Sequence, residues 1–420
     1  MGTHPARDSR TLAAILGGLA TGGLAAGLVL GFRWVVERTQ AGFLPGGELG
    51  AYEALPPWLR LILPILGGLV LGAAFSRFPR RYTDVGIVHV LKRLREGHRL
   101  PAPNLLTQFL AGSTAIVAGL SVDREGPGVH IGAAVGSLFG RLIDLPDRAT
   151  LTACGAAASI AAAFNTPLAG ILFVMEVLEV RYTPERFLPV MLASATGAVL
   201  GRLAYGSNPA FAVPLPGPLP LAALGWMLLL GPLAGLIAGG FIALIEYLQA
   251  RTTDWGFPTA FTLAGAVTGL LALGAPQIMG ISYDTLTRIL AQGLPLGVLL
   301  TVLAAKFAAT AACIGLRVPG GLIGPSLVIG GALGGTLGVL VTGGGTAAYA
   351  FYPLAGMMAM MGATLQAPLA ALSALLELTG RVELILPGTL SILGADLVSR
   401  ILLGRESVFA TLAGLGQGER

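Results

Sequence analysis

Charge is scarce in this chain. Asp, Glu, Lys and Arg make up 11% of its 420 residues, against roughly 25% in a soluble domain. Water is therefore excluded as the solvent for most of its surface. Cysteine is nearly missing as well. Cys154 and Cys313 stand alone in apolar segments, which argues against a disulfide framework and gives no redox compartment. No His, Cys or carboxylate cluster has metal-ligand spacing, so neither a metal nor a cofactor is expected. A Gly-x-Ser-x-Gly turn, a phosphate loop ending in Lys-Ser/Thr and a nucleophile–base set are all missing, which argues against an enzyme.

What is present is apolar. Hydrophobic residues are 54% of the chain and the mean hydropathy is +0.79, the composition of an all-α integral membrane protein. Sixty-two glycines suit close helix–helix approach in lipid. Twenty-seven prolines predict short or broken helices, which a membrane tolerates where protein or a water-filled cavity satisfies the freed backbone. The net charge of +5 and pI near 9.5 do not point to nucleic acid, because the basic residues are scattered at segment ends. The densest groups are Arg77 with Arg80-Arg81, and Lys92-Arg93 with Arg95; such charges fix orientation at the headgroups. Arg7 and Arg10 favour a cytoplasmic N-terminus.

The first apolar run, 11–30, is long for a signal peptide. It continues into Phe32-Arg33-Trp34 without a small-residue cleavage site, so a retained helix over about 11–36 is expected. A second run covers 58–75. The patch Val85-Gly86-Ile87-Val88, inside the polar and basic stretch 77–104, is too short to span ~30 Å of hydrocarbon and predicts a re-entrant helix start. Apolar runs then come repeatedly cut short, at 105–122, 128–143, 151–164, 168–180 and 187–203. A second set follows the proline-rich stretch 214–220, at 221–248, 259–273, 296–314, 322–341, 347–361, 368–378 and 384–403. The expected organisation is one membrane domain over 1–420, with no soluble regulatory domain after the last helix.

The two sets resemble each other. Gly126-Pro127 with Ile131-Gly132, Gly136 and Gly140 recurs as Gly324-Pro325 with Ile329-Gly330, Gly334 and Gly338. Phe164-Asn165-Thr166-Pro167-Leu168-Ala169 with Glu176 recurs as Leu365-Gln366-Ala367-Pro368-Leu369-Ala370 with Glu377. Two matching blocks in the same order indicate an internal duplication, with halves at about 11–205 and 221–412. Broken helices at corresponding positions of two halves point to a binding site at their interface. That directs attention to Glu125 in the first half and Ile323 in the second.

Glu125 precedes a Gly-Pro-Gly turn at a helix start within apolar surroundings. An ionisable group at membrane depth is a functional hypothesis by default, and the unpaired amides of a helix start bind anions. The 320–325 turn likewise offers consecutive amides. A simpler role for Glu125 is to pair with Arg124, and a simpler role for Gly320 and Gly321 is to permit helix crossing.

Arg124-Glu125-Gly126-Pro127, Gly321-Leu322-Ile323-Gly324-Pro325, Phe164-Asn165-Thr166-Pro167-Leu168-Ala169-Gly170 and Gln366-Ala367-Pro368-Leu369 together resemble the CLC family of chloride channels and chloride/proton antiporters, in its prokaryotic form. The similarity runs over about 12–412. It implies a homodimer in which each subunit has its own pore between two inverted-topology repeats of tilted, partly broken helices. It implies that Glu125 gates the pore, mimicking an anion when deprotonated. It also implies that the amides of Leu322, Ile323 and Gly324, with Gly126 and Gly86, bind the ion, and that Arg124 draws anions to the outer mouth.

Three departures from the family pattern stand out. The serine that coordinates the central anion is replaced by Val85. The coordinating tyrosine aligns best with Phe409, or on a one-residue shift with Val408, so a second hydroxyl is lost either way; each hydrogen bond to a charged group is worth ~1.5–3 kcal/mol, which predicts weaker central binding. The internal proton-transfer glutamate of the antiporters falls at Val177, which cannot relay a proton. Glu176 and Glu377, at matching repeat positions, are expected to cap or pair within the fold. Asp84 and Asp123 replace family glycines and read as helix caps, or alternatively as acids that repel or regulate anions. His89 and His130 read as hydrogen-bonded or interfacial, with His130 as a pH sensor the sharper alternative.

Passive or weakly coupled chloride movement is therefore expected. The alternative is chloride/proton antiport with a water-mediated inner proton step. A fluoride exporter is a remoter one, because 321–325 looks like the chloride-type members. The expected partners are chloride, other anions, protons, the lipid bilayer and a second copy of the chain, in a bacterial inner membrane.

Overall fold

Proline and glycine set where the helices start and stop. The computed structural model describes residues 5–143, 147–211, 213, 215, 219–343 and 347–414, so only 215, 219 and 220 of the proline-rich stretch 214–220 are covered. The first set of helices is α1 (Pro5–Phe43), α2 (Pro57–Phe75), α3 (Gly86–Arg95), α4 (Ala102–Val117), α5 (Glu125–Leu142), α6 (Arg148–Phe164), α7 (Pro167–Glu176) and α8 (Pro184–Tyr205). The second set opens with α9 (Leu224–Thr252), α10 (Phe257–Gly274), α11 (Tyr283–Gln292), α12 (Leu296–Gly315) and α13 (Ile323–Thr342). It closes with α14 (Phe351–Leu365), α15 (Pro368–Thr379), α16 (Ile385–Asp396) and α17 (Val408–Ala413). Among the described residues the only β-type pairing is one isolated bridge, between Asp123 and Gly321.

Among the described residues, eight helices are long and apolar enough to cross a membrane: α1, α2, α8, α9, α10, α12, α13 and the segment Val382–Leu402 that contains α16. Exposed leucines on α1, α2 and α9, such as Leu19, Leu66, Leu69 and Leu228, give these helices apolar outer faces. The centre belongs to α5, α13 and α14. Every residue of α14 is buried, as is the first half of α5.

The helix breaks match in the two halves. α6 ends on Asn165 at φ 60° and α14 on Gln366 at φ 52°, both left-handed. Left-handed residues close helices by satisfying the last carbonyls. Proline at the first position then starts α7 and α15, where its missing N–H costs nothing. The duplicated blocks are therefore the same helix–break–helix unit.

Each unit is fastened to the other. Glu176, at the end of α7, accepts from the backbone N–H of Leu369 (3.1 Å) and Ala370 (2.7 Å) at the start of α15. Glu377, on α15, accepts from Leu168 (2.9 Å) and Ala169 (2.8 Å) at the start of α7. Both carboxylates cap a helix, as their matching positions led one to expect, but each caps the helix of the opposite half.

Two expectations shift. α1 extends past the apolar run because the polar residues that follow are held in the protein: Arg33 reaches Glu37 at 2.6 Å, and the Gln40 amide donates to the Tyr52 hydroxyl at 2.9 Å. Helix α11 lies outside every apolar run because it is amphipathic. The 85–88 patch does open a helix, α3, at Gly86.

Candidate functional site

The N-termini of α5 and α13 meet at the Asp123–Gly321 bridge. The Asp123 N–H donates to the Gly321 carbonyl at 3.0 Å, and the Gly321 N–H returns to the Asp123 carbonyl at 3.2 Å. Glycine is required here by space. A Cβ on Gly321 would lie 1.8 Å from Asp123 Oδ1, and one on Gly126 would lie 2.6 Å from the Gly321 Cα.

The Asp123 side chain is fully buried and spans both helix starts. Its Oδ1 accepts from the N–H groups of Glu125 and Gly126, each at 3.1 Å. Its Oδ2 accepts from the Gly324 N–H at 2.5 Å. The expected cap of α5 is there, and it reaches into the other half as well. By contrast the N–H groups of Leu322 and Ile323 have no acceptor among the described residues.

Glu125 is buried, yet neither oxygen of its carboxylate has a hydrogen-bond partner among the described residues. Arg124 Nε is 3.5 Å away, an ion-pair distance rather than a hydrogen bond. The Arg124 guanidinium instead donates to Glu37 at 3.0 Å and lies 5.8 Å from the centre of the Tyr283 ring.

Two cavities approach this junction from opposite ends of the α1–α2 pair. One, of about 390 Å³, is bordered by Arg33, Glu37, Arg124, Tyr283 and Asp284 and by Leu49 and Gly50 of the loop between α1 and α2. The other, of about 310 Å³, is bordered by Thr83–His89 after α2, by Gly126, Gly320, Gly321 and Leu322, and by Phe409. The basic residues Arg77, Arg80, Arg81, Lys92, Arg93 and Arg95 cluster at the second end, which by the positive-inside rule is cytoplasmic.

The residues singled out in the sequence are thus brought to one place with few exceptions. Arg124 borders the outer cavity. Val85, Gly86, Gly126, Leu322 and Phe409 border the inner one. Glu125, Ile323 and Gly324 lie buried where α5 meets α13. Val177 is buried at the end of α7 and borders neither cavity. Not all the amides are free donors, however. Gly86 N–H donates to Gln108 Oε1 at 2.6 Å, and those of Gly126 and Gly324 are held by Asp123.

Asp84 borders the inner cavity, and α3 has no side-chain cap, so Asp84 is not the cap that its position suggested. His89 and His130 are partners: their ring nitrogens are 3.1 Å apart and the rings stack with centroids 5.3 Å apart. His89 also borders the inner cavity.

Three further residues were not singled out in advance. Tyr283 starts α11, between Arg124 and Gly324. Lys306, fully buried on α12, donates to the carbonyls of Ile278 (2.9 Å) and Gly280 (2.7 Å) and to Ser282 Oγ (2.9 Å), bracing the turn that presents Tyr283. A lone lysine in an apolar run was a visible signal. Asp284 stands beside the outer cavity on α11, which is not one of the eight spans. Burial, and then the charge of Glu53, push its carboxyl up to about 6, against Thr285 N–H and Arg288.

A family model for the voltage gated chloride channel matches residues 67–400. The chain belongs to the CLC family. The H(+)/Cl(-) exchange transporter ClcA of Cronobacter sakazakii is 30% identical over 97% of this chain and 91% of its own. ClcA of Vibrio cholerae is 29% identical over 90% of this chain and 83% of its own. A solved slow cyanobacterial Cl-/H+ antiporter superimposes with a TM-score of 0.84, covering 100% of both chains at 22% identity, and so shares the fold. As a CLC protein the chain is a multi-pass membrane protein of chloride transport.

Proposed function

We propose that this CLC protein exchanges chloride for protons, with Glu125 as the group that both competes with chloride and carries the proton. The carrying observation is a buried carboxylate without a hydrogen-bond partner among the described residues, standing between the two cavities. A carboxylate so placed gains little from staying ionised when no anion leaves room for it, and becomes a neutral acid when a proton arrives. The exchanger names of the ClcA relatives support coupling over the passive movement that Val177 alone would favour.

The inner cavity extends to Gly126, next in sequence to Glu125. Water in that cavity therefore replaces the side-chain relay that Val177 cannot supply. The unpaired amides of Leu322 and Ile323 are the donors for a chloride entering from this side. Val85 and Phe409 add no hydroxyl, which makes that berth weak. The functional unit is a homodimer of one-domain subunits, with repeat halves over 11–205 and 221–412, in a bacterial inner membrane.

The test is chloride flux from liposomes with simultaneous proton recording. An imposed chloride gradient should drive protons uphill. Chloride flux without uphill proton movement would leave the passive reading standing in its place.

A further inference from the structure

We propose that Asp123 is a built-in anion: its carboxylate fills the outer of two ion berths at the α5–α13 junction, and Glu125 is displaced from that berth. The inference rests on the anion-transport reading above and adds to it which berth is exchangeable.

The donor set is the first ground. An ordinary helix cap accepts from the second or third N–H of its own helix. Asp123 does this with Oδ1, but its Oδ2 takes the Gly324 N–H, 201 residues away in the opposite half. Convergent amides from two helix starts, with no cation hydrogen-bonded to the bound oxygens, are the chemistry of an anion site. The bound anion here happens to be attached to the chain.

The second ground is independent. Glu125 has both carboxylate oxygens buried and without a hydrogen-bond partner among the described residues. The nearest convergent amides, those of Gly126 and Gly324, are already occupied. Glu125 is left with the looser attractions of Arg124 at 3.5 Å and of the Tyr283 hydroxyl beside it.

The third is the pattern of what remains open. Leu322 and Ile323 keep unpaired N–H groups, and Leu322 borders the inner cavity. An entering chloride thus has one free berth, reached from the cytoplasmic side. Asp123 cannot readily leave its own: it is fully buried, and the contact with Gly321 has no room even for a methyl group.

The test compares full-length wild type, Asp123→Gly and Asp123→Asn in detergent, titrated with chloride in a gluconate buffer by calorimetry and by thermal unfolding. Asp123→Gly should bind chloride at least tenfold more tightly than wild type, and its Tm should climb with chloride while that of wild type barely moves. Should Asp123→Gly unfold in gluconate, chloride present throughout purification should restore it. Asp123→Asn, which keeps an acceptor but loses the charge, should show a chloride-dependent Tm between the two. If both folded variants bind chloride no better than wild type, or if chloride fails to restore Asp123→Gly while folded Asp123→Asn shows no chloride response, Asp123 is a cap only. These readouts are equilibrium binding, so they stand apart from flux. A wild type that moves no anion would remove the transport reading without altering the titration.

Discussion

The two turns that meet at the centre of the molecule share a backbone and differ in their side chains. The first carries Asp123, Arg124 and Glu125; the second carries Gly321, Leu322 and Ile323. Both deliver helix N-termini, whose partial positive charge favours an anion. Only the first supplies acids able to compete for that place. Duplication thus accounts for a cradle made of main chain, and divergence of one copy for the acids that stand beside it. The α7 and α15 units diverged far less, since Glu176 and Glu377 perform the same task on each other's helices.

The largest effect should come from making the charged turn neutral. Glu125→Gln keeps the shape and removes the titration, so chloride-driven proton movement should fall by more than tenfold and chloride flux should lose most of its pH dependence. Proton transport that persists in this variant would break the contrast between the turns. The symmetric pair offers a sharper test. Glu176→Ala and Glu377→Ala each strand two amides, and with bonds to a charged group worth ~1.5–3 kcal/mol each should lower the Tm clearly and by similar amounts. A far larger loss of proton coupling in Glu176→Ala than in Glu377→Ala, at equal Tm, would mean that Glu176 has a second task.

The smallest effect concerns the outer cavity. Asp284 is neutral below about 6 and ionised above it, so its charge opposes anion entry only at the higher pH. Asp284→Asn should raise chloride entry from outside by less than threefold at pH 7.5 and leave it unchanged at pH 5. An equal effect at both values would show that the charge is not the cause.

Much of this was legible in the sequence, for physical reasons. Proline and left-handed residues mark helix ends locally, so the breaks at 165–167 and 366–368 could be read directly. A carboxylate in apolar surroundings declares itself, and Glu125 did. Contacts between the halves could not be read. Asp123 looked like a cap because its Oδ1 is one, whereas the reach of Oδ2 to Gly324 depends on how two distant helix starts are brought together. The crossed capping by Glu176 and Glu377 was hidden for the same reason. Helix α11 escaped because periodicity in a short amphipathic segment is swamped by the long apolar runs around it, and Tyr283 escaped with it.

The crossed capping also bears on how the protein is made. While the ribosome is still extending the chain past α7, the amides of Leu168 and Ala169 have no acceptor, since Glu377 has yet to be synthesised. In a bilayer such groups are costly to leave unmet. The start of α7 therefore gains its cap only once the second half is present, and the two halves reach their final arrangement together.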